Sequence, residues 1–102
     1  MINHIDIEIY IQILNVPAYA FGMENFQKKT SLSQDELENL LKELHDCKTN
    51  PDKIFSISSF KNLAGYCSVA VEIIEDKDDI GTLTGHSLEE VLKAISKLTN
   101  SK

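Results

Sequence analysis

His4-Ile-Asp-Ile-Glu-Ile-Tyr-Ile-Gln-Ile-Leu14 is the stretch on which the fold turns. Ile5, Ile7, Ile9, Ile11 and Ile13 alternate with His4, Asp6, Glu8, Tyr10 and Gln12. Period two with β-branched residues on one face predicts a half-buried strand. The polar partners predict a wet opposite face, so the strand is expected in a sheet with one open side. On that face Asp6 and Glu8 flank Tyr10, a residue type enriched at protein contacts.

Asn15-Val-Pro17 breaks this pattern, because proline lacks the N–H that a regular element needs. Tyr19, Phe21 and Met23 then alternate beside Gly22 and Phe26. Residues 15–30 read either as a second short strand or as a partly exposed apolar loop. A loop that long inside a small domain is usually functional.

Ser33 and Glu36 form a capping box, with Leu32 and Leu37 placed as a hydrophobic staple. Leu37, Leu40, Leu41, Leu44 and Cys47 then follow helical spacing, and Asn50-Pro51 ends the run. This predicts a helix near 33–48. Ile54 to Phe60 and Tyr66 to Ile74 are rich in β-formers, with Cys67, Val69, Val71 and Ile73 alternating. Glu75-Asp-Lys-Asp-Asp79 reads as an acidic turn, and Ile80 to Thr84 as a short strand ended by Gly85. Ser87 and Glu90 form a second capping box, followed by Leu88, Val91, Leu92, Ile95 and Leu98 as one apolar stripe. A second helix is expected near 87–98.

These elements predict an α+β two-layer sandwich: an antiparallel sheet of four to five strands with two helices packed on one face. At 102 residues, the chain is expected to form a single domain over 1–102 with one modest core.

Sixteen acids oppose ten bases, for a formal charge of −6, and every base is lysine. An acidic chain without arginine is poorly suited to neutralising phosphates, so no nucleic-acid partner is expected. Anionic membrane surfaces are disfavoured for the same reason. The N-terminal residues carry acids and no basic n-region, which argues against a secretory signal. Cys47 and Cys67 sit at apolar-face positions and are expected as free, buried thiols in a reduced, cytoplasmic setting.

No catalytic signature emerges, and the chain is expected not to be an enzyme. His45 and Cys47 diverge on a helix, the acidic turn lacks an EF-hand pattern, and no phosphate-binding glycine loop exists. His86 beside Ser87 is explained by the cap. No catalytic residue, metal site or cofactor is assigned. The remaining feature is charge: Glu72, Glu75, Asp76, Asp78 and Asp79 place five acids in eight residues. Such a patch steers a basic partner. The candidate contact residues are these five, with Asp6, Glu8 and Tyr10 as a second surface.

Two resemblances bear on function. Ser68 to Leu98 reads as a hairpin and short strand leading into Thr84-Gly-His-Ser-Leu-Glu-Glu-Val-Leu-Lys-Ala-Ile95. This resembles the end of HicB-type antitoxin domains, though their Pro-rich stretch and DNA-binding tail are missing. The whole chain, small, acidic, arginine-free and without a catalytic motif, is similar in kind to the immunity proteins of bacterial toxin systems, including contact-dependent growth inhibition. That likeness implies a cytosolic protein that binds and masks one basic toxin domain, a nuclease among the options. It transfers no contact residue. An antitoxin-like or adaptor domain is the alternative, and a ligand binder or enzyme is third. Oligomeric state is left open.

Overall fold

The first twelve-residue element is a helix, not a strand. In the computed structural model, which describes residues 1–100, α1 runs His4–Asn15 and no strand occurs among the described residues. Asn3 caps it. Its Oδ1 accepts from the N–H groups of Ile5 (2.9 Å) and Asp6 (3.0 Å), and Asp6 Oδ2 accepts from Asn3 N–H at 2.9 Å. Three orphan donors at the start of the helix are thereby satisfied. His4, Glu8, Gln12 and Asn15 recur at helical spacing and form the exposed to half-exposed stripe. The remaining isoleucines past Ile5 pack inward against four later helices, over Gln34–Cys47 (α3), Phe60–Ile73 (α4), Asp79–Thr84 (α5) and Leu88–Asn100 (α6). A strand's preference for β-branched residues is outweighed here. Isoleucine in a helix costs no more than about 0.7 kcal/mol relative to alanine, whereas burying its side chain contributes about 1.5–3 kcal/mol.

Pro17 cannot continue the helical bonding, and the chain widens into a π-helical turn over Val16–Ala20, closed by Phe21 N–H donating to Val16 O at 2.9 Å. Gly22, at φ +84°, starts α2 (Met23–Thr30). A side chain there would be strained and would also collide with Ile73 Cγ2, so glycine permits the close approach of this corner to α4. Residues 15–30, read as either a second short strand or a partly exposed apolar loop, are therefore this turn followed by α2.

Helix α3 (Gln34–Cys47) begins as expected: Glu36 N–H donates to Ser33 Oγ at 3.1 Å, and Ser33 N–H to Glu36 Oε1 at 3.0 Å. These hydrogen bonds hold the Glu36 carboxyl below its ordinary pKa. Leu32 and Leu37 are both buried, as a staple requires. A 3₁₀ turn (Pro51–Ser56) inserts Ile54 into the core.

The two β-rich runs, Ile54 to Phe60 and Tyr66 to Ile74, are not strands: they fall in this 3₁₀ turn and in α4 (Phe60–Ile73). Leu63, Cys67, Ala70, Val71 and Ile74 are buried at helical spacing, so the alternation of residues 67–73 coexists with a helical stripe. The expected strand at 80–84 is a short helix, α5 (Asp79–Thr84), stopped by Gly85 at φ +78°. Helix α6 (Leu88–Asn100) opens on the Ser87–Glu90 capping box, with bonds of 2.9 and 3.2 Å. Val91, Ala94, Ile95 and Leu98 face inward, while Leu92 lies off the stripe and is exposed.

The α+β sandwich is thus overturned. The described chain is all-helical, with α1 at its centre and one contiguous core. Cys47 and Cys67 are free and buried within it.

Candidate functional site

The acidic segment turns the corner between α4 and α5. Glu72 is exposed on the last turn of α4 and pairs with Lys29 of α2 at 3.6 Å. Glu75, Asp76, Asp78 and Asp79 are all exposed, and none makes an ion pair among the described residues. Lys77, the single cation within the run, is turned away from them. Its Nζ donates to the carbonyls of Val71 (3.2 Å) and Ile74 (3.3 Å) at the end of α4. A cation there adds a donor to the last carbonyls of the helix, of which Val71 O also accepts from Ile74 N–H, and complements the helix dipole. Asp76 Oδ1 accepts from Asp78 N–H at 3.0 Å, which fixes the turn. Asp79 sits in the first turn of α5. The corner is thus locally ordered, with its negative charge directed outward.

The second expected contact surface does not form. Asp6, Glu8 and Tyr10 were expected on one wet strand face, and the helix sends them apart. Asp6 is buried, and its Oδ2 accepts from Lys97 Nζ of α6 at 2.9 Å as well as from the cap. Glu8 is half-buried and lies 3.5 Å from Lys48 Nζ. Tyr10 is fully buried, and its hydroxyl donates to Ala94 O at 2.6 Å. Burial pushes its pKa well above the ordinary 10.0, with the Asp6 charge adding to the effect. Tyr10 and Asp6 therefore clamp α1 to α6 and are closed to a partner. The Asp6–Lys97 pairing spans 91 positions and left no local trace in the sequence.

His45 is exposed and Cys47 buried on α3. Among the described residues, no three His, Cys, Asp or Glu side chains converge on a point that would hold a metal ion. Burial raises the pKa of both cysteines, Cys67 by desolvation alone and Cys47 by desolvation with the charges of Asp46 and Glu43. Both are held as thiols, the unreactive form. Ser87 is committed to its cap.

One surface was only half-read in the sequence. Tyr19 and Phe21 project from the π turn, 67% and 46% exposed. The alternation there was visible, and a break at Pro17 followed by aromatics was the usable signal.

No family model, curated protein or solved structure matches this chain. No helix among the described residues is long and apolar enough to cross a membrane.

Proposed function

We propose that the protein is a non-catalytic binding domain of the immunity type, which docks its α4–α5 corner onto a basic toxin domain and masks it. The observation that carries this reading is the unbalanced corner. Four exposed acids stand without ion pairs among the described residues, while Lys77 is drawn back onto α4. Folding alone favours spreading like charges apart, and a positive substrate groove, as in a nuclease, would complement them. The net charge of −6 adds long-range attraction to the same partner.

The test replaces Glu75 by Gln and Asp76, Asp78 and Asp79 by Asn, keeping shape and the Asp76 acceptor. The genes on either side are first searched for a basic toxin domain, and binding to a domain so found is then measured together with protection of cells that express it; neighbouring genes that encode no such domain would count against the reading. Each acid seated in the groove should contribute about 2–5 kcal/mol when truncated. Rim acids should change the association rate and its salt dependence. Full protection by the variant, with binding unchanged between roughly 50 and 500 mM salt, over which the Debye length falls about threefold, would overturn the proposal.

A further inference from the structure

The π turn between α1 and α2 is built unlike an ordinary loop. Pro17 and Ala18 are buried beneath it. Gln34 of α3 donates to Ala18 O at 2.9 Å, and Phe21 N–H closes onto Val16 O. Gly22 presses against Ile73 with no room for a side chain. The turn is thus held at Val16, Ala18 and Gly22, while the two rings remain exposed. Tyr19 and Phe21, two residues apart, are 67% and 46% exposed. Single-turn π segments recur at functional positions.

The place of these rings adds a second observation. Tyr19 and Ala20 share a recess with Leu83 of α5, and Gly22 meets Ile73 at the end of α4. The stretch that carries the two rings therefore abuts Ile73, two residues before Glu75, at Gly22, and at Tyr19 it shares a recess with Leu83, four residues after Asp79. The lysines nearest to it along the chain, Lys28 and Lys29, lie 3.6 Å from Glu24 and Glu72 respectively. The two exposed rings are thus carried on the stretch that adjoins both ends of the acidic corner.

We infer that Tyr19 and Phe21 form the anchor of a docking surface for a basic protein segment that presents arginine beside apolar residues. The chemistry selects arginine over lysine. A guanidinium stacks flat on an aromatic ring while its edge stays free to meet carboxylates, whereas an ammonium is a compact, strongly hydrated charge. Because the turn is held in place before binding, little ordering entropy is lost on contact. This inference rests on the acidic-corner reading above and extends it by naming the anchor and the partner's chemistry.

The test uses the intact protein, isotope-labelled, titrated with an alternating arginine–leucine peptide and with a lysine–leucine peptide of equal charge. Backbone amide shifts report the contact, and the variants Tyr19→Ser and Phe21→Ser remove the rings. Both positions are exposed, so the fold should persist, which circular dichroism checks. Expected are shifts at residues 19–22 and at 75–79 together, tighter binding of the arginine peptide, and weakening of about 30-fold in either variant, as for a hot-spot ring. Shifts at 75–79 alone, equal for both peptides and untouched by the variants, overturn the aromatic anchor and leave the acidic corner standing. Shifts at 19–22 alone, insensitive to salt, overturn the acidic corner and with it both readings. No shift at either patch also overturns both.

Discussion

Helices α1 and α3 have similar lengths, and they were read from sequence with opposite outcomes. In α3, five of fourteen residues are buried, and they lie at helical spacing: Leu37, Leu40, Leu41, Leu44 and Cys47. The other face is polar, because α3 lies on the outside of the molecule. In α1, seven of twelve residues are buried: Asp6, Ile7, Ile9, Tyr10, Ile11, Ile13 and Leu14. Helices α3, α4, α5 and α6 surround it, so apolar residues are wanted nearly all round. Periodicity reports the boundary between core and water. Where that boundary shrinks to a narrow stripe, as at His4, Glu8, Gln12 and Asn15, an accidental alternation of isoleucines is the louder signal.

The sharpest way to break this comparison is to truncate residues that a strand would treat alike. Tyr10 and Gln12 would share one wet strand face, whereas the helix seats Tyr10 in the core and leaves Gln12 near the surface. Tyr10→Ala should destabilise by about 3–5 kcal/mol, as for a large buried ring. Gln12→Ala should stay within about 0.5 kcal/mol. Chemical denaturation of the two variants measures both. Small, equal losses would return residues 4–14 to a half-exposed strand.

A second substitution tests the outer helix. Leu41→Ala should cost about 2–5 kcal/mol, because Leu41 is buried on the stripe that meets the core. Asn39→Ala, on the exposed face of the same turn, should lie within about 0.5 kcal/mol of wild type. A loss below about 0.5 kcal/mol at Leu41 would mean that the stripe faces water, and the contrast with α1 would collapse.

What was legible follows the same logic. The capping boxes at Ser33 and Ser87 are local, lying within four residues, and each opens a helix as read. The cap of α1, Asn3 with Asp6, is equally local, but the alternation of isoleucines that begins beside it is the stronger signal. In α4 two periods overlap. Val69, Val71 and Ile73 alternate, while Leu63, Cys67, Ala70 and Ile74 step helically, and only the packing against α1, α2 and α6 decides between them. The acidic corner was visible as composition. Its structural meaning depended on Lys77 reaching back to Val71 and Ile74, which no pattern encodes. The pairing of Asp6 with Lys97 and of Tyr10 with Ala94 joins the two ends of the chain, and such contacts are set by the tertiary fold.

The smallest expected effect tests the buried face of α1 through its protons. Tyr10→Phe keeps the ring and removes the hydroxyl that donates to Ala94 O. At neutral pH the variant should lose about 0.5–1.5 kcal/mol, the net contribution of a single hydrogen bond. The alkaline limb then distinguishes the proteins. Burial raises the Tyr10 pKa in the folded state above its ordinary 10.0. Below that value both folded and unfolded chains keep the proton, and the hydroxyl adds no pH dependence. Above it the unfolded chain releases a proton that the folded chain retains, so stability falls as pH rises, by up to about 1.4 kcal/mol per pH unit for this group. Cys47 and Cys67, also raised, begin the same decline from their ordinary 9.0 in both proteins, so they cancel in the comparison. The gap between wild type and Tyr10→Phe should therefore be constant up to about pH 9 and close within about two units above pH 10. Urea unfolding at a series of pH values follows it directly. A gap that stays constant to about pH 11 would mean that the Tyr10 hydroxyl titrates like one in water, and α1 could not then be the enclosed helix that separates it from α3.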